Sequence, residues 1–90
     1  MHSESDIQTY LITQVKARGG VADKVVSKSR RGFVDVLANL NGVEWFIEVK
    51  TKTGRLSELQ EVFRKECVRI GRRYKIIRSK EEVDTWLESL

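Results

Sequence analysis

Asp35, Glu48 and Lys50 are the residues whose types and spacing best suit chemistry. Two carboxylates held side by side, with an ammonium two residues further on, fit a hard, oxygen-ligated divalent cation. Such an ion can promote hydrolysis. Taken singly, either acid would more often belong to a solvated strand face; the register that joins them is what singles them out. Asn41-Gly42 stands between two strand-like runs, the strongest short-range hairpin signal, because a type I′ turn needs φ > 0 at both central positions. With a two-residue turn Leu40 faces Val43, and counting outward sets Asp35 directly opposite Glu48. That is a non-hydrogen-bonded pair, in which Cα atoms approach to about 4.5 Å, and like charges placed there destabilise a sheet.

The hairpin spans residues 32–50, and its two faces differ. Val34, Val36, Ala38 and Leu40 on one strand, with Val43, Trp45, Ile47 and Val49 on the other, form an apolar face that packs on a core. Asp35, Glu48 and Lys50 share the opposite face with Phe33, Leu37 and Phe46. A slip of one residue would drive both acids into the core, so the register is well specified.

The remaining elements must carry this hairpin. Residues 3–18 read as a helix, opened by Ser3-Glu4-Ser5-Asp6 and stopped by Gly19-Gly20, with Ile7, Leu11 and Val15 as its buried stripe. Glu4 extends that stripe toward the N-terminus, although spacing alone favours a simple helix-dipole role. Residues 21–27 read as the first strand, with Val25 and Val26 as its strongest residues. The basic loop Ser29-Arg30-Arg31-Gly32 follows, a phosphate contact or a solubilising turn. Ser57-Glu58-Leu59-Gln60 fits a capping box opening a helix to residue 70. That box explains Gln60 structurally, yet Gln60 also shares the sheet-facing side with Leu56, Phe63 and Cys67. Gly71 ends the helix, residues 73–78 form the last strand, and Ser79-Lys80-Glu81-Glu82 starts a closing helix with Val83, Trp86 and Leu87 inward. Trp86 reads as core or a dimer contact. The basic run from Arg64 to Arg78 makes a DNA-facing surface plausible.

Ninety residues make one domain with a modest core, burying about 60–65% of the unfolded surface, so a partner subunit would help. A third of the residues are charged and 40% hydrophobic, which excludes a disordered chain. The net charge of +4 and pI near 9.5 are compatible with a polyanionic partner. Cys67 stands alone, which excludes an intrachain disulfide or a cysteine zinc cluster. No signal peptide or apolar spanning run is present, and the chain is expected in the cytoplasm.

Gly32-Phe33-Val34-Asp35, then Glu48-Val49-Lys50, Gly54-Arg55-Leu56-Ser57 and Gln60 resemble the signature of the virus-type replication-repair nuclease (VRR-NUC) family of the PD-(D/E)XK superfamily. The Asp and Glu-x-Lys pattern alone is short and degenerate; the ordered set is much more specific. The resemblance implies an α/β, restriction-endonuclease-like core, αβββαβ with a C-terminal helix, in one nuclease domain over residues 1–90. It implies Mg²⁺ or Mn²⁺ held by Asp35, Glu48 and the main-chain carbonyl of Val49. Lys50 would orient the attacking water, Gln60 would lie beside the metal, and Glu4 would supply the acid of the first helix. Arg30, Arg31, Lys52 and Arg55 are the candidate DNA contacts. Stand-alone phage members of the family are homodimers that cut branched DNA such as four-way (Holliday) junctions. The resemblance therefore implies DNA and a second copy as partners, a phage-infected or bacterial cytoplasm, no organic cofactor and no membrane. Val34 departs from the family, which usually has proline before the metal-binding aspartate. Two other readings remain: a non-catalytic DNA-binding module on this fold, and a sequence-specific restriction-type nuclease, for which ninety residues leave little room.

Overall fold

In the computed structural model, which describes residues 2–90, Asn41 and Gly42 both have positive φ, 54° and 78°. They close the hairpin between β2 (Val36–Leu40) and β3 (Val43–Val49), with Leu40 opposite Val43 and Val36 opposite Ile47. The order of elements is α1 (Glu4–Ala17), β1 (Val21–Lys24), β2, β3, α2 (Glu58–Ile70), β4 (Arg73–Ile77) and α3 (Lys80–Glu88). The four strands lie in sequence order, antiparallel from β1 to β3, with β4 parallel to β3. A parallel neighbour needs a crossover, and α2 supplies it. This is the α/β architecture with a mixed sheet that the sequence implies.

Helices cover both faces of the sheet. α1 and α3 bring Ile7, Leu11, Val15, Val83, Trp86 and Leu87 onto the hairpin's apolar face. On the other face α2 buries Phe63 and Cys67 against Phe33, Leu37, Phe46 and Tyr74. Burying a side chain the size of Phe63 contributes about 1.5–3 kcal/mol, so this second layer is a true core. It closes over the face that carries the acids.

The capping signals hold at α1 and α2. Ser3 with Asp6, and Ser57 with Gln60, form reciprocal boxes, and Gly71 ends α2 in the left-handed conformation. At α3 Ser79 accepts from the Glu82 N–H, but the Glu82 carboxylate accepts from the Arg78 N–H, one residue earlier than a box requires.

Three expectations need correction, and they share one cause. Asp35 lies outside β2, and its N–H donates to the Ile47 carbonyl at 3.1 Å although Val36 is the residue paired with Ile47. Two residues thus oppose one, the arrangement of a β-bulge, which re-aims the side chains before it. Asp35 is therefore not directly opposite Glu48. Val34, expected on the α1 side with Val36 and Ala38, packs instead with Phe63 and Cys67. The first strand ends at Lys24, because only the Val25 N–H still reaches the bulged segment, donating to the Asp35 carbonyl at 2.7 Å; Val26 is 86% exposed. No helix among the described residues is long and apolar enough to cross a membrane.

Candidate active site

The bulge turns the Asp35 carboxylate across the open end of the hairpin. β2 has run out beside Val49, and Asp35 Oδ2 takes the Val49 N–H at 2.9 Å in place of a ladder carbonyl. Within a strand the N–H and C=O of one residue point the same way, so the Val49 carbonyl is directed to this side too. Glu48, one residue earlier, faces the α2 layer and is 1% exposed.

Glu48 Oε2 accepts from Gln60 Nε2 at 3.1 Å and lies 3.8 Å from Lys50 Nζ. Its Oε1 is buried with no hydrogen-bond partner among the described residues. An orphaned carboxylate oxygen is costly unless something else meets it. Burial pushes the Glu48 carboxyl up to about 8; the hydrogen-bonding proximity and charge of Asp35 add to the rise, while Lys50 and Lys28 oppose it. The acids thus converge as adjacent groups on one cluster, although not as a directly opposed pair.

Gln60 reconciles two roles that the sequence set against each other. Its Oε1 accepts from the Ser57 N–H at 2.8 Å, closing the helix cap, while its Nε2 holds Glu48. Gly32 makes this approach possible. With φ +83° and the Leu59–Gln60 backbone lying where a Cβ would stand, it packs the loop before Asp35 directly onto the first turn of α2.

Sequence reasoning missed Lys28. Its ammonium donates to Asp35 Oδ1 at 3.2 Å and to the Phe33 carbonyl at 3.0 Å. No periodicity marks a loop lysine, and only the folding of the 28–33 segment back on itself brings it there. Arg78 was also read too broadly, as one of a basic run. Its Nη1 bonds the carbonyls of Thr51 and Gly54 at 2.8 and 2.6 Å and so fixes the loop that carries Lys52. Others in that run are engaged as well: Arg64 pairs with Glu61, and Arg72 and Arg73 lie over Phe46 and Trp45.

The other candidates are spread more widely. Arg30 is paired with Glu66 at 2.6 Å and lies over the Phe63 ring, 5.0 Å from its centroid, which ties the basic loop to α2. Arg31, Lys52 and Arg55 are exposed and make no ion pair among the described residues. Lys52 lines a surface cleft of about 380 Å³ with Ile7, Arg78 and Ser79. Glu4 sits half-buried on the first turn of α1, but among the described residues no third His, Cys, Asp or Glu joins Asp35 and Glu48 closely enough to share an ion.

The donor set nevertheless suits a hard cation. Among the described residues Glu48 Oε1 is unpartnered, Asp35 Oδ1 is met by the Lys28 ammonium, and a backbone carbonyl faces the same side. Magnesium-type ions keep several waters and use few protein ligands, so two carboxylates suffice.

A solved structure described as a VRR_NUC domain superposes on this chain with a TM-score of 0.86 and 29% sequence identity, covering 94% of each chain. No protein-family model and no curated protein matches the sequence.

Proposed function

We propose that this chain, which is similar over 94% of its length to a solved VRR_NUC domain, is a divalent-metal-dependent DNA endonuclease. Its substrate would be branched DNA, four-way (Holliday) junctions among them, and its working form a homodimer. The observation that carries this reading is the buried Glu48 carboxylate, one oxygen anchored by Gln60 and the other unpartnered, beside Asp35 and Lys50. A bound cation would offset the cost of burying such a group.

Asp35 Oδ1, Glu48 Oε1 and the Val49 carbonyl would hold Mg²⁺ or Mn²⁺ in this reading. When bound, the ion supplies an acidified water and offsets negative charge on the phosphate. The chain's own residues do the rest. Val49 N–H fixes the orientation of Asp35, and Gln60 fixes that of Glu48, so neither carboxylate must reorganise during reaction. Lys50, with its side chain only 14% exposed, presents a compact cation that orients the attacking water and stabilises the phosphate charge developing in the transition state. Arg31, Lys52 and Arg55 are free to meet backbone phosphates, which position DNA without reading its sequence. A homodimer places two such sites around a two-fold axis, where they can address two strands. Exposed Leu59, Val62, Val68 and Ile70 on α2 are apolar surface that a second copy could cover.

Purified protein of known oligomeric mass, incubated with four-way, flap and linear duplex DNA, tests the reading. Cleavage that requires Mg²⁺ or Mn²⁺ and favours branched substrates supports it. A salt-sensitive gel shift with no cleavage would leave a DNA-binding module in its place.

A further inference from the structure

We infer that Lys28 is a displaceable counter-ion of the metal-binding carboxylate, so that a divalent cation loads by exchange against its ammonium. This rests on the metal reading of Asp35 and Glu48.

The four carboxylate oxygens of the pair are held very differently. Asp35 Oδ2 is fixed by a backbone N–H and Glu48 Oε2 by the Gln60 amide, both neutral donors set on regular structure. Among the described residues Glu48 Oε1 has no partner, and Asp35 Oδ1 has Lys28 at 3.2 Å. An ion held by both residues would need Oδ1 and so would compete for it with Lys28, because two cations crowded on one oxygen repel.

Lys28 is built to leave, whereas Lys50 is not. The Lys28 side chain is 33% exposed, against 15% for Asp35 and 14% for Lys50. It stems from the exposed loop between β1 and β2, and its other tie is one neutral carbonyl, that of Phe33. Lys50 follows directly on β3, with its backbone N–H bonded to Ile77 of β4 at 3.0 Å. While Lys28 is in place it holds the Asp35 carboxylate in position without locking the site. Its removal should thus strengthen ion binding, the opposite of what loss of a supporting residue would do.

Mn²⁺ binding measured without DNA, by the electron paramagnetic resonance signal of the free ion, tests the sign. Wild type, Lys28→Met, Lys28→Gln, Lys28→Arg and Asp35→Asn are compared, each checked for folding by circular dichroism. Both neutral variants should bind Mn²⁺ about two- to fivefold more tightly than wild type, the range expected for relieving a partly exposed ion pair. Lys28→Arg, which keeps the charge, should bind like wild type. Equal or weaker binding by the neutral variants, with wild type binding and Asp35→Asn not binding, overturns the exchange alone. Absence of Mn²⁺ binding in wild type, or undiminished binding in Asp35→Asn, overturns both the exchange and the metal reading beneath it.

Discussion

Replacing Glu48 by glutamine should make the protein more stable in the pH range where it would work. The glutamine side chain has nearly the same shape, can still accept from Gln60 Nε2, and can donate to Asp35, but carries no charge at any pH. In the wild type burial raises the Glu48 carboxyl from an ordinary 4.5 to about 8. Between those values the native state keeps a proton that the unfolded chain has lost, so stability falls as pH rises through the interval, and above about 8 the full penalty remains. At about 1.4 kcal/mol per pH unit the interval corresponds to an upper bound of about 4–5 kcal/mol. With Glu48 1% exposed, solvent screening relieves little of it. A realised gain of about 2 kcal/mol in Glu48→Gln would raise Tm by about 8–16 °C for a domain of this size. Thermal melts of both proteins from pH 5 to pH 9 in EDTA provide the assay. The two should melt closely at pH 5 and diverge steadily up to pH 8, with the variant the more stable. Added Mn²⁺ at pH 8 should then raise the Tm of wild type but not of Glu48→Gln. Parallel curves, or a variant that melts lower at pH 9, would refute the account of Glu48 as a strained buried acid.

Other consequences can be checked alongside. Asp35→Asn should abolish both the Mn²⁺-induced rise in Tm and DNA cleavage; wild-type cutting in this variant would defeat the ligand assignment. Lys50→Met should retain Mn²⁺ binding while cleavage falls by about 10²–10³, the usual cost of losing one group aimed at transition-state charge. Gln60→Ala should lower stability by about 1 kcal/mol through its half of the α2 cap and should also slow cleavage, whereas a pure capping residue would leave the cleavage rate per folded molecule unchanged. Gly32→Ala should destabilise by about 2 kcal/mol or more in urea melts, since its Cβ would run into the Leu59 carbonyl at a positive φ.

Much of this architecture could be read from the chain because local signals agreed with one another. Asn41-Gly42 set the hairpin register, and the Ser57 and Gly71 caps bounded α2. Phe33, Leu37 and Phe46, interleaved with the acids, already hinted that the second face was not simply wet. The bulge at Asp35 could not be seen, because Val34, Val36, Ala38 and Leu40 alternate without a break. An extra residue in one strand leaves that pattern intact while it reverses the side on which Val34 lies. Lys28 was hidden for a different reason: its role depends on how an irregular loop closes, and no spacing rule reaches across such a loop. Gln60 was visible twice, as a cap and as a site residue, and the two readings competed only because its amide can serve both at once.

That shared amide has a temporal corollary. The fastener that starts α2 also aligns Glu48, so the chain cannot present an ordered acidic cluster before this helix has docked. Fraying of the first turn would disarm it again. Hydrolytic competence and completion of the fold should therefore arrive together, leaving no half-assembled intermediate able to nick the nucleic acid around it.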